Sequence, residues 1–120
     1  MKILTEQEFN DSPIFGHDYF EKGAYLESTI QELADLDAGT TCAGHGNSCF
    51  KTLSTKFPDN RIFSKFEHYH DGRPTLDGMV AIECTDEDQA YEIEVLAESA
   101  RGSLRNDYDL GNRFWIFEVE

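Results

Sequence analysis

The chain has 120 residues, with 24 Asp and Glu against 10 Lys and Arg, for a formal net charge of −14. Like charge at that density repels across a compact surface and also repels nucleic acid, so direct binding to DNA or RNA is disfavoured. Nine Phe, five Tyr and one Trp still provide for a folded core in one domain, residues 1–120.

The charge is unevenly spread. Residues 1–50 carry net −7, residues 51–73 net +2 through Lys51, Lys56, Arg61, Lys65 and Arg73, and residues 74–120 net −9. In both outer segments acids interleave with large apolar residues, unlike a disordered acidic tail. The negative charge is therefore expected on folded elements. No apolar run approaches the roughly 20 residues of a membrane span. Met1-Lys2-Ile3-Leu4-Thr5-Glu6 meets an acid too soon for a signal peptide. Cys42, Cys49 and Cys84 are then expected as reduced thiols in a cytoplasm.

In chain order, Thr5-Glu6-Gln7-Glu8 reads as a capping box opening a short helix to about Asp11, ended by Ser12-Pro13. Leu26, Ile30 and Leu33 share a helical face opposite Glu27, Gln31, Glu32 and Asp35, which predicts an amphipathic helix over 24–37 with Gly39 as its C′ residue. Thr40 to Ser48 reads as a loop. Cys49, Phe50, Leu53 and Phe57 recur at helical spacing, and Pro58-Asp59-Asn60 is a turn. Arg61 to Tyr69 alternates as a strand, with Ile62, Ser64, Phe66 and His68 on one face and Phe63, Lys65, Glu67 and Tyr69 on the other. Asp71-Gly72 and Asp77-Gly78 are turn dipeptides, and Met79 to Cys84 is a short strand.

Residues 85–101 fit a helix better than a strand. Ala90, Ile93, Leu96, Ala97 and Ala100 fill one arc, and Glu87, Asp88, Glu92, Glu94 and Glu98 fill the opposite one with Tyr91 and Val95 among them. Thr85 is the expected N-cap and Gly102 the stop. Asn106 to Asn112 reads as a polar loop or hairpin turn before a strand from Arg113 to Glu120. The expected class is α+β: a small antiparallel sheet packed with two main amphipathic helices and short extra helices.

Acids at i and i+4 of a helix lie about 5–6 Å apart at Cβ. Asp88/Glu92 and Glu94/Glu98 have that spacing, and Glu27, Gln31 and Asp35 form a sparser row. Like charges so placed cost a few tenths of a kcal/mol per pair, a cost a fold can accept when the repulsion is used. An acidic surface attracts proteins that bind DNA, so the leading expectation is a DNA mimic. Its partner-binding residues would be Glu27, Glu32, Asp35, Glu87, Asp88, Glu92, Glu94, Glu98, Asp107 and Asp109. The bland counterpart is an acidic face kept for solubility. Tyr69, Tyr91 and Tyr108 are further interface candidates.

Cys42-Ala-Gly-His45-Gly-Asn-Ser-Cys49 offers three soft ligands, and His68 or His70 could add a fourth. Its spacing is not that of a zinc site, and no base, orienter or oxyanion donor accompanies a Cys/His nucleophile. No metal, no cofactor and no catalysis are expected.

The acidic stretches Thr85-Asp-Glu-Asp-Gln-Ala-Tyr-Glu-Ile-Glu94 and Asn106-Asp-Tyr-Asp109, beside the aromatic strand Phe114-Trp-Ile-Phe-Glu-Val-Glu120, make the chain similar to the small acidic DNA-mimic proteins of bacteria that bind the nucleoid-associated protein HU. The resemblance covers the whole chain in length, acidity and α+β character. It implies competition with DNA for HU, hence modulation of nucleoid packing, by a cytoplasmic monomer or weak dimer associated with the nucleoid through its partner. The bases between Lys51 and Arg73 depart from a uniformly acidic mimic and imply one face outside the mimicry. The same physics serves a phage-type inhibitor of a restriction or CRISPR nuclease, or an immunity protein for a nuclease toxin. A small metal-dependent or Cys/His enzyme is the alternative of another class.

Overall fold

The computed structural model describes residues 1–21, 23–36, 38–40, 46–70, 73–99 and 104–119. In chain order these form β1 (Lys2–Ile3), α1 (Glu6–Asn10), β2 (Tyr25–Thr29), α2 (Ile30–Asp35), β3 (Gly39–Thr40), α3 (Gly46–Ser54), β4 (Arg61–His70), β5 (Arg73–Glu83), α4 (Glu87–Glu98), β6 (Leu104–Gly111) and β7 (Phe114–Val119). The strands make one sheet in the order β1-β2-β4-β5-β7-β6, antiparallel throughout that path, with β3 added parallel to the start of β5. The class is α+β, as expected.

Successive side chains of a strand point to opposite faces, and here both faces are covered. On one face Leu26, Ile62, Val80, Ile82, Trp115 and Phe117 meet Ile30 and Leu33 of α2, Phe50 and Leu53 of α3, and Ala90, Ile93 and Ala97 of α4. On the other, Tyr25, Phe63, Ala81, Phe114 and Ile116 meet Phe9 of α1 and Ile14 and Phe20 of the turns after it. Phe9 stacks on Tyr25 at 4.9 Å between ring centroids. Two-sided burial accounts for apolar runs such as Phe114-Trp115-Ile116-Phe117 in place of simple alternation. It also settles the faces of β4, since Ile62 and Phe63 are both buried, one in each layer.

The Thr5 capping box forms as the sequence predicts. Thr5 Oγ1 accepts from Glu8 N–H at 3.1 Å, and Glu8 Oε1 accepts from Thr5 N–H at 3.0 Å. Lys2 bonds the same Glu8 carboxylate and, with the Thr5 N–H, holds its pKa down at about 2.

The helix predicted over 24–37 is half strand. Tyr25 and Leu26 are both buried, on opposite faces of the sheet, and pair with Lys65 and Ser64 of β4. The helix starts only at Ile30, because Thr29 is a second capping residue. Its hydroxyl accepts from Glu32 N–H at 3.1 Å, and Glu32 Oε1 accepts from Thr29 N–H at 3.0 Å. Leu36 closes that helix, and Gly39 begins β3 instead of terminating it.

Asp77-Gly78 is not a hairpin turn. Ser64 pairs with Val80 and Phe66 with Leu76, so Lys65 faces Asp77-Gly78-Met79 in an irregularity within β5. Asp71-Gly72 lies outside the described residues. The helix predicted from Cys49 starts earlier, at Gly46, within the stretch read as a loop. Of Asn106 to Asn112, read as a polar loop or hairpin turn, residues 106–111 lie in strand β6. The connection to β7 is the pair Asn112-Arg113, with φ of 53° and 66°. Positive φ at both residues is the pattern of a type I′ hairpin turn.

Among the described residues no helix is long and apolar enough to cross a membrane.

The N-cap of α4 is Asp86, one residue beyond the expected Thr85. Asp86 Oδ1 accepts from Gln89 N–H at 2.9 Å, while the Thr85 backbone N–H donates to Gln89 Oε1 at 3.0 Å. Asp86→Ala is therefore expected to cost about 1 kcal/mol, the usual loss for an N-cap. Thr85→Ala should cost clearly less, since its bond uses the backbone. Urea unfolding of the two variants separates them: equal shifts would contradict the assignment.

Candidate functional site

The sequence-predicted acids divide between places, and α4 gathers most of them. Its start is fixed from three sides. Asp86 caps it, Glu87 and Asp88 sit in its first turn against the positive end of the helix dipole, and Asn60 Nδ2 donates to Gln89 Oε1 at 3.0 Å and to Glu83 O at 2.8 Å. Ala90, Ile93 and Ala97 are buried, with Leu96 packed at the margin of the core. At the far end Ser99 Oγ donates to Leu96 O at 2.6 Å. The helix packs on α3 and along β6. β6 runs parallel to β5, with β7 between them.

The arc away from the core carries Glu87, Asp88, Glu92, Glu94 and Glu98. Glu94 is half-buried and the others are exposed. These five carboxylates occupy a helix of 12 residues, about 18 Å at 1.5 Å per residue. The result is about one carboxylate per 3.6 Å of axis, against about 3.4 Å per phosphate along a single DNA strand. Glu92 is also paired with Lys56 Nζ at 2.7 Å, just past the end of α3.

At about 100° per residue, Glu94, Glu87 and Glu98 form one row and Asp88 and Glu92 a second. Tyr91 and Val95 run between the rows, 63% and 47% exposed. The acidic arc is legible in the sequence, which also offers Tyr91 as an interface candidate; the exposed apolar strip along the centre of the arc emerges only from the structure. A shallow groove of about 340 Å³ follows this strip, lined by Lys56, Tyr91, Glu92, Val95, Leu96 and Ser99.

Asp109 is exposed on β6, its Oδ1 accepting from Gly111 N–H at 2.7 Å. By register it stands opposite Trp115, on the sheet face that carries α4. Asp107 lies on the same strand beside a register shift, its side chain outside the described set. Tyr108 is likewise placed on β6 by its backbone alone.

The remaining acids lie elsewhere. Glu27 is on β2 and accepts from Arg61 Nη2 at 2.9 Å, and Arg61 also approaches Glu83 at 3.8 Å. That guanidinium lies over the Phe63 and Phe114 rings at 5.4 and 5.6 Å, which ties Glu27 to the face opposite α4. Glu32 is engaged in its capping box and pairs with the Met1 amino group, which is the main cause of its lowered pKa. Asp35 is exposed on α2 and accepts from Gln31 Nε2 at 2.8 Å. Since α2 packs on α3 and α3 on α4, α3 separates Glu32 and Asp35 from the α4 acids. Tyr69 is 52% exposed on β4 and packs edge-on against Phe66.

A second cleft of about 560 Å³ opens beside α1, lined by Glu6, Phe9, Asn10, Phe15, Gly16, His17, Asp18, Phe20 and Glu21. It belongs to the face remote from α4.

Cys42 and His45 lie outside the described residues. Among the described residues no group of three His, Cys, Asp or Glu side chains is placed to hold a metal ion. Cys49 is buried in the helical layer and Cys84 at the end of β5. Burial pushes both thiols up to about 12, helped at Cys84 by the Asp86 and Glu83 charges.

No protein-family model, no curated protein and no solved structure matches the chain.

The thiolate is the reactive form of cysteine, so Cys49 and Cys84 are expected to stay unlabelled by iodoacetamide near pH 8 in the folded protein. Both should react fully in denaturant. Peptide mapping after each treatment reads the result, and rapid labelling of either residue in the native protein would contradict the burial described.

Proposed function

We propose that the protein is a DNA mimic without catalytic activity of its own. It occupies the DNA-binding surface of a basic DNA-binding protein and competes there with DNA. Its resemblance to the acidic mimics points to HU as that partner, and so to modulation of nucleoid packing. The single observation that carries the proposal is α4, whose carboxylates follow the helix axis at nearly the charge spacing of one DNA strand. The net charge of −14 supports it by steering cationic partners in and keeping DNA away. Among the bases between Lys51 and Arg73, Lys56 borders the α4 acids, while others fit a molecule with one face outside the contact. Arg61 in particular is engaged on the opposite side of the sheet.

The α4 acids, with Asp109 on the neighbouring strand, form the proposed binding face, and Asp107 shares that strand. Glu27, Glu32 and Asp35 lie away from it and contribute through the overall field.

The test is competition. In a gel-shift assay duplex DNA should form no complex with this protein alone, and adding the protein to preformed HU–DNA should release DNA. Replacing Asp88 with Asn, and Glu92, Glu94 and Glu98 with Gln, keeps side-chain size and leaves the core arc intact. That quadruple variant should bind HU at least about tenfold more weakly, about 1.4 kcal/mol. Wild-type affinity in a folded quadruple variant would place the contact elsewhere. Unchanged HU–DNA at large excess of the wild type would remove HU as the partner.

Lys56 gives an independent measure of the same face. It holds Glu92 in an exposed pair, worth about 0.2–1 kcal/mol to stability. Lys56→Gln frees that carboxylate and removes a like charge to the incoming partner. Affinity for the basic partner is expected to rise about two- to threefold, in line with the same 0.2–1 kcal/mol per exposed pair. Weaker binding by the variant would mean that Lys56 itself touches the partner.

A further inference from the structure

The two acidic rows of α4 do not meet. Tyr91 and Val95 lie between them, one turn apart and 63% and 47% exposed. Neither serves the core, which α4 fills from its other arc with Ala90, Ile93 and Ala97. Nor does helix formation call for them, since Tyr and Val are poorer helix formers than Ala, Leu, Glu or Lys. An acidic face kept only for solubility would carry polar residues here. Instead the strip borders the 340 Å³ groove, whose lining adds Leu96, Ser99 and the Lys56–Glu92 ion pair on the side of the second row. An apolar centre ringed by charge is the anatomy of a protein interface, in which an aromatic anchor supplies much of the binding energy.

We infer that this groove docks a basic segment of the partner bearing one large apolar side chain. That side chain packs on Tyr91 and Val95, while cations on either side of it reach the Glu87/Glu94/Glu98 row and the Asp88/Glu92 row. Charge complementarity names the occupant. Carboxylates flank the strip on both sides, so a neutral or acidic hydrophobic segment is repelled or gains nothing from the rim. A bare polycation leaves the centre unfilled. The inference rests on α4 being the partner face and adds the means of choosing among basic partners, because a DNA backbone presents no apolar groove of this kind.

The experiment uses two synthetic peptides of equal length and equal arginine content. One has a central Phe between the arginines and the other a Ser in its place. Each is titrated by fluorescence anisotropy against the whole protein and against the Tyr91→Ala/Val95→Ser double variant. The replaced side chains are exposed, so the variant should fold, which circular dichroism checks. Val95→Thr, nearly isosteric and equally exposed, is the second variant.

The Phe peptide should bind wild type at least about tenfold tighter than the Ser peptide, and that advantage should survive added salt because apolar contact is not screened as charge is. In the double variant the advantage should fall below about twofold, with the Ser peptide unaffected and Val95→Thr intermediate. Equal binding of the two peptides to wild type, an advantage that persists in the double variant, or failure of both peptides to bind would each overturn the inference. DNA release from HU–DNA, measured alongside, separates it from the DNA-mimic proposal. Release without peptide discrimination removes the groove and keeps the mimic. Discrimination without release keeps the groove and removes HU as the partner for which DNA is competed.

Discussion

Burial of the sheet on both faces is the constraint on which the rest of this molecule depends. A net charge of −14 works against any compact state, and i,i+4 acid pairs such as Asp88/Glu92 and Glu94/Glu98 each cost a few tenths of a kcal/mol. Fully burying one Ile or Phe side chain returns about 1.5–3 kcal/mol. The central strands bury such residues in both directions: Ile62 and Phe63 on β4, Val80, Ala81 and Ile82 on β5, and Phe114 through Phe117 on β7. With the core held in the middle strands, acids such as Glu8, Glu32, Asp86 and those of α4 are left on helix backs and caps. There they keep their hydration and add little to the cost of folding.

The same constraint decides where the charge becomes useful. Some acids are absorbed by the architecture. Glu8 and Glu32 complete capping boxes, and Glu27 shares Arg61 with Glu83. A carboxylate so engaged is already partly neutralised and held in place, so it offers less to a partner. On α4, where Lys56 engages Glu92, the core contacts are instead confined to one arc. Ala90 and Ala97 are small enough to bring the helix close to its neighbours, and Ile93 anchors it. The whole opposite arc is then left to carboxylates and to the Tyr91–Val95 strip.

How much of this was legible in the sequence depended on whether the deciding signal was local. The Thr5 capping box and the 3.6-residue arc of α4 are local; the box forms as expected, and so does the arc through Ala97, with Ala100 and Gly102 lying outside the described residues. Thr29 and Glu32 make a second capping box by the same rule. It was obscured because Leu26, Ile30 and Leu33 also satisfy a helical period, and only pairing of Tyr25 and Leu26 with β4 shows that the first half is strand. Asp77-Gly78 and Asn106 to Gly111 have turn composition but are held in strands, the first by β4 and the second by its hairpin partner β7. Thr85 and Asp86 are both good caps, and Asn60 tilts the choice by bonding Gln89 across the turn. For the site, charge and arc were readable from composition and period. The separation of Glu27, Glu32 and Asp35 from α4 was not, because it follows from α3 lying between α2 and α4.

Charge and apolar contact on α4 divide the problem of recognition. A polyanionic surface raises the encounter rate with every cationic protein and discriminates poorly among them. Its contribution also shrinks as salt screens it, over about 8–10 Å at physiological strength. A protein that copied only the phosphate spacing of DNA would inherit both weaknesses and would still lack the density of a duplex, one charge per about 1.7 Å against about 3.6 Å for α4. It would lose to DNA on charge alone. An apolar strip set within the charge offers what the phosphate backbone cannot: short-range, salt-tolerant contact that only a complementary side chain can use. Tyr91 and Val95 are exposed where both acidic rows can guide a cationic partner onto them. In the proposed contact the carboxylates govern approach and orientation, and the groove governs which of the arriving partners stays.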